Sequence, residues 1–171
     1  SDVAGYCAEQ GIEYRGPKHS DFLLATMDAL IAAQTAAIVA ESLGIATCYI
    51  GDIIEHFETH RELLSLPEWA FPVGMLTLGY YPDDEKAVPK PRPRFDRRHI
   101  VFNEQYQRQS NAQLLEMFRE SEARVPQPNP VNARNFGQYT YGRKTGSDFA
   151  LEMERSLKAA LRFWDGRKLG E

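Results

Sequence analysis

The 171-residue sequence has few of the features that are typical of secreted domains, of domains stabilised by a metal ion or of redox-active domains. It has only two cysteines, Cys7 and Cys48, which allow one disulfide at most and lack partners at the short spacing of a zinc or redox motif. It also has no recognisable secretory signal. We therefore expect both cysteines to be reduced thiols in or near the core of a cytoplasmic protein.

Several catalytic and binding signatures are also missing. The sequence contains no Ser-His-Asp arrangement, no glycine-rich phosphate loop and no G-x-G-x-x-G fingerprint, so hydrolase chemistry has no support. The formal net charge of −4 gives no general attraction to nucleic acid or to an anionic membrane surface. Any phosphate binding must therefore be local.

A long apolar helix is predicted near the N-terminus. Residues 22–43 contain no proline or glycine and place apolar residues at helical spacing. Ser20 or Asp21 can cap the first turn, and Gly44 suits the left-handed position that closes a helix. Because five alanines leave small surfaces around its circumference, we expect this helix of about 22 residues to be buried on more than one side.

The same stretch is long enough to cross a bilayer. Asp28, Gln34 and Glu41 argue against a membrane span, because each is costly at bilayer depth. We therefore favour the central helix of a soluble core, with a second subunit as one of the surfaces it can face.

The remaining elements mix helices with isolated short strands. Apolar spacing predicts helices over 53–64, over 111–124 and from Ser147 or Asp148 onward, and strands over 71–80 and 99–102. Prolines and charges predict a basic connector over 83–98, and three further prolines predict an extended linker over 125–134. This order predicts an α+β fold in a single domain over residues 1–171.

Lys90 and Arg92 are the first candidates for binding chemistry. They alternate with prolines in an otherwise acidic protein, so their side chains can converge on one phosphate. Composition alone favours a solvated basic connector instead. Nucleic-acid contacts are a third interpretation, although the run lacks interleaved aromatics and a recognisable reading module.

Two other patterns are candidate sites. His56 and His60 have the spacing of a zinc pair on a helix, but no third ligand is evident and a solvated helix face is favoured. Gly51, in the turn Tyr49-Ile50-Gly51-Asp52, would let backbone N–H groups approach a flat ligand closely because no Cβ stands in the way.

Six features taken together carry a family resemblance. They are the second half of the long helix, Gly44, Tyr49-Ile50-Gly51, Leu64-Ser65-Leu66-Pro67, Leu78-Gly79-Tyr80-Tyr81-Pro82 and Lys90-Pro91-Arg92. In this order and spacing they resemble the nitroreductase family, in its branch of oxygen-insensitive NADPH nitroreductases and flavin reductases. The resemblance extends from about Asp21 to Gln107 and continues more loosely through 135–138 and the last helix.

The resemblance implies non-covalently bound FMN, with NADPH or NADH as cosubstrate and a ping-pong reduction of nitro compounds, quinones or free flavin. It places Ile50, Gly51 and Asp52 at the isoalloxazine ring and Lys90 and Arg92 at the FMN phosphate. It requires no catalytic acid or base, because the cofactor carries the hydride chemistry. It also implies a small, mainly antiparallel sheet flanked by helices in an intertwined homodimer, with no nucleic acid or membrane as partner and no metal.

Two departures from the family pattern bear on these expectations. Asp52 stands where the family commonly has a second glycine, and the family's N-terminal portion has no counterpart before Ser1. We therefore expect the C-terminal two-thirds of an FMN-dependent oxidoreductase. The alternative is a non-catalytic flavin-binding or dimerisation remnant of the fold. Arg143 or Lys144 is a further candidate for contacting the phosphate of the nicotinamide dinucleotide.

Overall fold

A computed structural model describes residues 3–82 and 94–166 of the chain. These residues form eight α-helices, two β-strands and one 3-10 turn, which confirms the predicted α+β class. The chain divides into two compact units, of which unit 1 comprises residues 1–84 and 151–171 and unit 2 comprises residues 85–150. The predicted phosphate-binding residues Lys90 and Arg92 lie outside the described residues.

Unit 1 opens with a short helix, α1 (Val3–Glu9), which the sequence did not predict. The long apolar helix α2 (His19–Ser42) is confirmed. Asp21 caps its first turn, because its Oδ2 accepts a hydrogen bond from the backbone N–H of Lys18 at 2.8 Å. At the other end, Gly44 adopts a φ of +76° as predicted, a conformation that glycine takes without a steric penalty.

The predicted burial of α2 on more than one side is wrong for the described chain. Only Ala37 and Ala40 of this helix are buried, whereas Leu23, Ile31 and Ile38 are 59%, 64% and 60% exposed. Composition predicted the helix, but burial depends on which elements pack against it. α2 is also long and apolar enough to cross a membrane, a criterion that the core helix of a soluble protein meets as well.

The two strands form a single antiparallel pair in unit 1. β1 (Ala46–Ile50) runs against β2 (Met75–Gly79), with Ala46 opposite Gly79 and Ile50 opposite Met75. β2 is narrower than the predicted strand over 71–80. Because of this register, the chain leaves the sheet after Ile50 directly beside the point where β2 begins.

The helix predicted over 53–64 is interrupted. A 3-10 turn covers Asp52–Ile54, and α3 begins only at Phe57 and ends at Leu63. Between them Glu55 is extended, and His56 adopts the left-handed conformation with φ +51° and ψ +47°. A left-handed histidine is uncommon, and local apolar spacing gives no signal for it.

The core of unit 1 is an aromatic cluster that joins distant parts of the sequence. Phe22 of α2 lies with its ring centroid 5.2 Å from that of Trp164, and Phe57 of α3 lies 5.4 Å from Phe71 and 6.4 Å from Phe163. Phe57 is only 2% exposed. These edge and tilted contacts are the arrangements that aromatic pairs prefer, so the cluster is the main apolar core of this unit.

Helix α8 (Asp148–Leu161) brings the end of the described chain back to its start. Its beginning agrees with the prediction, since Ser147 Oγ accepts a hydrogen bond from the N–H of Ala150 at 3.4 Å. Past the helix, Gly166 donates its N–H to the carbonyl of Pro17 at 2.9 Å, just before α2. Residues at both ends of the described sequence therefore complete unit 1 together.

Unit 2 contains α4 (Arg97–Ile100), α5 (Asn111–Met117), α6 (Arg119–Glu122) and α7 (Phe136–Arg143). The strand predicted over 99–102 is wrong, because Asp96 accepts a hydrogen bond from the N–H of Arg98 at 3.0 Å and so begins a helical turn. The helix predicted over 111–124 forms in two pieces.

The segment predicted as an extended linker, residues 125–134, contains a turn built around Asn129. Its Oδ1 accepts hydrogen bonds from the N–H groups of Val131 and Ala133, and its Nδ2 donates to the carbonyls of Pro126 and Ala133. Asn129 is buried. One side chain therefore takes over the hydrogen bonding that regular backbone structure would otherwise provide.

Candidate functional site

The turn at the end of β1 is the candidate site that the sequence singled out. Gly51 follows the last paired residue, Ile50, and its carbonyl accepts a hydrogen bond from the N–H of Ile54 at 3.1 Å. The carbonyl of Asp52 accepts from the N–H of Glu55 at 3.0 Å. The carbonyls of this 3-10 turn are thus directed into the turn itself.

The opposite side of the turn is open. Gly51 and Asp52 are exposed and Ile50 is half-buried. A Cβ added at Gly51 would meet no heavy atom of the described residues within 4 Å, and its φ of −85° is accessible to any residue. Neither packing nor backbone conformation within the described chain therefore requires glycine here. The turn thus presents an open surface beside a residue without a side chain, and its predicted contact with a flat ligand stays a prediction.

The other predicted contacts are not brought together with this turn by the described structure. Lys90 and Arg92 lie outside the described residues. Arg143 and Lys144 end α7 in unit 2, where Arg143 donates to the hydroxyl of Tyr139 at 2.8 Å and the Lys144 ammonium lies 5.8 Å from the ring centre of Phe149. Their suggested role in binding a dinucleotide phosphate stays a prediction.

Sequence reasoning missed the side chains of α8 that hold the far end of the turn. Glu152 Oε1 accepts a hydrogen bond from the backbone N–H of His56 at 3.0 Å, and Ser156 Oγ accepts one from the N–H of Phe57 at 3.1 Å. The partners are 96 and 99 residues apart, so no local spacing could have shown them. α8 therefore supplies the N-terminal cap that α3 lacks in its own sequence.

An ion-pair network supports this cap. Arg155 forms a bidentate ion pair with Glu58, in which both N···O distances are 2.8 Å. It also donates two hydrogen bonds of 2.8 Å to the carboxylate of Glu152. Hydrogen bonds from Arg155 lower the pKa of Glu58 and of Glu152 to about 2. Both carboxylates are therefore ionised, and able to accept hydrogen bonds, at neutral pH.

The histidine pair gives no metal site in the part of the chain that the structure describes. Across residues 3–82 and 94–166, no group of three or more His, Cys, Asp or Glu side chains is placed to hold a metal ion. His56 lies at the left-handed kink and is exposed. The side chain of His60 is partly buried, and its Nδ1 has no hydrogen-bond partner among the described residues.

Unit 2 contains a cleft that the sequence did not suggest. It has a volume of about 1160 Å³ and lies between α5, α6 and α7. Its apolar walls include Leu114, Leu115, Phe118, Phe136 and Tyr141. The rings of Phe118 and Phe136 stack with their centroids 5.6 Å apart, so the floor of the cleft is aromatic.

Comparison with known proteins places the turn within a segment that matches a protein family. Residues 7–80 match the Nitroreductase family. An NADPH-dependent oxidoreductase of Staphylococcus epidermidis is 32% identical over 141 residues, which cover 78% of this chain and 55% of that protein. The chain thus spans about half the length of the curated relatives that it matches.

Solved structures share the fold. A protein from Bacteroides fragilis classed as an oxidoreductase superimposes with a TM-score of 0.77 at 24% identity, covering 96% of this chain and 67% of that one. The NADPH:FMN oxidoreductase of Vibrio harveyi, solved in complex with NAD+, gives a TM-score of 0.69 at 22% identity and covers 94% and 64%. At these identities the likeness shows the fold alone. Through the match over residues 7–80 and the shared fold, the chain is similar to the nitroreductase family.

Proposed function

We propose that the protein works as an FMN-dependent oxidoreductase, with NADPH or NADH as hydride donor and a nitro compound, a quinone or free flavin as acceptor. The observation that carries the proposal is the open turn at Gly51, which lies within the segment that matches the family. Bound FMN would supply the hydride chemistry, receiving hydride from the nicotinamide and passing it to the acceptor in a ping-pong cycle.

The residues of the turn would orient the flavin. Ile50 and the backbone of Gly51 would contact the isoalloxazine ring, where the absence of a side chain at Gly51 leaves room for close approach. The exposed Asp52 would add a carboxylate beside the ring, which opposes the build-up of negative charge there. Lys90 and Arg92 would bind the FMN phosphate through charge-assisted hydrogen bonds.

We further propose that the protein acts in the cytoplasm as a homodimer that covers the apolar surface of α2. Large side chains of this helix are exposed in the single chain, including Leu23, Ile31 and Ile38. An exposed apolar surface of this length is typical of an interface with another protein chain or of a membrane contact. Asp28 and Glu41 on the same helix favour the protein interface, since both are costly within a bilayer.

An FMN titration of the purified chain tests the proposed site. Binding is followed by quenching of flavin fluorescence, and a subsequent addition of NADPH should bleach the visible flavin absorbance. Replacing both cations, Lys90→Ala with Arg92→Ala, should weaken FMN binding about 100-fold, because each removes a hydrogen bond between charged groups. The matched control, Arg108→Ala with Arg124→Ala, removes the same charge from two exposed positions elsewhere and should leave FMN affinity unchanged.

The possible outcomes separate the candidate functions. Tight FMN binding followed by NADPH-dependent bleaching supports the oxidoreductase. FMN binding or dimerisation without NADPH or NADH oxidation supports a non-catalytic flavin-binding or dimerisation role for this chain. A colourless protein that cannot be loaded with FMN refutes the proposed function for this chain.

A further inference from the structure

The proposed flavin turn is held at both ends by contacts with other parts of unit 1. On one side, Ile50 is paired with Met75 in the sheet. On the other side, the chain passes through Glu55 and enters α3 by the left-handed residue His56. The course of the five residues between these two fixed points determines where the exposed backbone of Gly51 and Asp52 is presented.

The fixed point at His56 needs outside support. A non-glycine residue in the left-handed region is strained and persists only where its surroundings hold it there. The N–H of His56 is held by Glu152 Oε1 at 3.0 Å, and the next N–H, that of Phe57, is held by Ser156 Oγ at 3.1 Å. Both contacts come from α8, so α3 and the turn before it are positioned by a helix from the other end of unit 1.

Glu152 is itself fixed in this position. Its Oε1 accepts hydrogen bonds from Ser156 Oγ at 2.9 Å and from Arg155 Nη2 at 2.8 Å, and Arg155 also binds Glu58 on α3. The carboxylate therefore cannot swing away from His56 without breaking several charge-assisted hydrogen bonds. The Ser156 hydroxyl, which donates to Glu152, is fully buried.

From these contacts we infer that Glu152 is a positioning residue for the flavin site: by holding the N–H of His56 it fixes the Gly51-Asp52 turn in the conformation that receives the isoalloxazine ring. The inference rests on the proposed function, because it names a residue that acts on the same site through the backbone. Glu152 would touch neither the flavin nor a substrate.

Three variants at Glu152 and one control variant separate positioning from general stability. Glu152→Ala removes the acceptor of the His56 N–H, and Glu152→Met does the same while keeping the length of the side chain, should the alanine variant not fold. Glu152→Gln keeps an oxygen acceptor and should restore the contact. Glu154→Gln weakens the ion pair with Lys158 on the same helix but leaves Glu152 and its contacts in place, and serves as the matched control.

The two measurements are amide hydrogen exchange at His56 by NMR and the dissociation constant for FMN from fluorescence quenching. In Glu152→Ala or Glu152→Met we expect exchange at His56 to be about tenfold faster or more and FMN binding to be about tenfold weaker, the size expected for losing a hydrogen bond to a charged acceptor. Glu152→Gln should lie within about threefold of the wild type in both measurements, since a neutral acceptor gives a weaker bond.

Two results would overturn the inference. One is wild-type FMN affinity in Glu152→Ala and Glu152→Met, which would show that the turn keeps its conformation without Glu152. The other is equal weakening by Glu154→Gln, which would show that loss of stability rather than positioning is responsible. Failure of the proposed function is distinguishable from both, because the wild-type chain would then bind no FMN while hydrogen exchange would still report whether Glu152 holds His56.

Discussion

The replacement Ser156→Ala tests how much the link between α3 and α8 contributes to stability. The Ser156 side chain is fully buried, and its oxygen accepts the hydrogen bond from the N–H of Phe57, a residue that is 2% exposed. Alanine fits the same space but leaves that N–H without its acceptor. A buried donor without a partner costs about 1 to 3 kcal/mol. Alanine in a helix regains about 0.5 kcal/mol over serine. We therefore expect the free energy of unfolding to fall by about 0.5 to 2.5 kcal/mol.

Urea unfolding followed by circular dichroism measures this loss. The midpoint should decrease while the dependence of the unfolding free energy on urea stays the same, because the exposed surface of the unfolded chain hardly changes. Ser42→Ala is the matched control. That serine is also helical, but it is exposed and donates to the carbonyl of Val39, so its loss should change stability by less than about 0.5 kcal/mol. Equal effects of the two replacements would refute the reasoning.

Three further predictions follow from other parts of unit 1. The pKa values of Glu58 and Glu152 are about 2 in the folded protein, against an ordinary value of 4.5. The contribution of these two carboxylates to stability is therefore fully present above about pH 4.5 and is lost as the pH falls through 2. Urea midpoints measured across this range should show a smaller acid-induced decrease for Glu58→Gln than for the wild type. Gly51→Val should leave the urea midpoint nearly unchanged, because no heavy atom of the described residues lies within 4 Å of the added Cβ. It should nevertheless weaken FMN binding in fluorescence titrations by about tenfold or more if the flavin lies against this turn. Ile31→Lys on α2, which is 64% exposed in the single chain, should shift the protein from dimer to monomer in sedimentation velocity, and an unchanged mass would contradict the proposed interface.

Local sequence patterns predicted the elements whose causes are local. The range of α2 and the positive φ of Gly44 follow from helix-forming residues and a glycine at the closing position, which act within a few residues of one another. The start of α8 at Ser147 has the same kind of cause. The turn at Gly51 was identified in the same way and lies where the strand ends, although its role in binding a flavin stays a prediction.

What the sequence could not show depends on distant contacts. The kink at His56 interrupts an otherwise regular helical pattern, and its support comes from Glu152, 96 residues away. The strand expected over 99–102 is a helical turn because one side chain, Asp96, caps it, and apolar spacing carries no information about that bond. Most of α2 stays exposed within the single chain, since composition describes a helix but not the elements that pack against it.

The hydrogen bond from Gly166 to Pro17 joins two parts of unit 1 that are synthesised far apart in time. Phe163 and Trp164, which complete the aromatic cluster, are made about 90 residues after Phe71, so unit 1 cannot close its core while the ribosome is still producing unit 2. Contacts over such a separation form late, because bringing the two ends of the intervening chain together costs entropy. The helices of unit 2 depend on nearer neighbours in the sequence and can form earlier. Until its last helix emerges, the nascent chain therefore exposes the aromatic residues around α3, and this interval is when it is most exposed to aggregation.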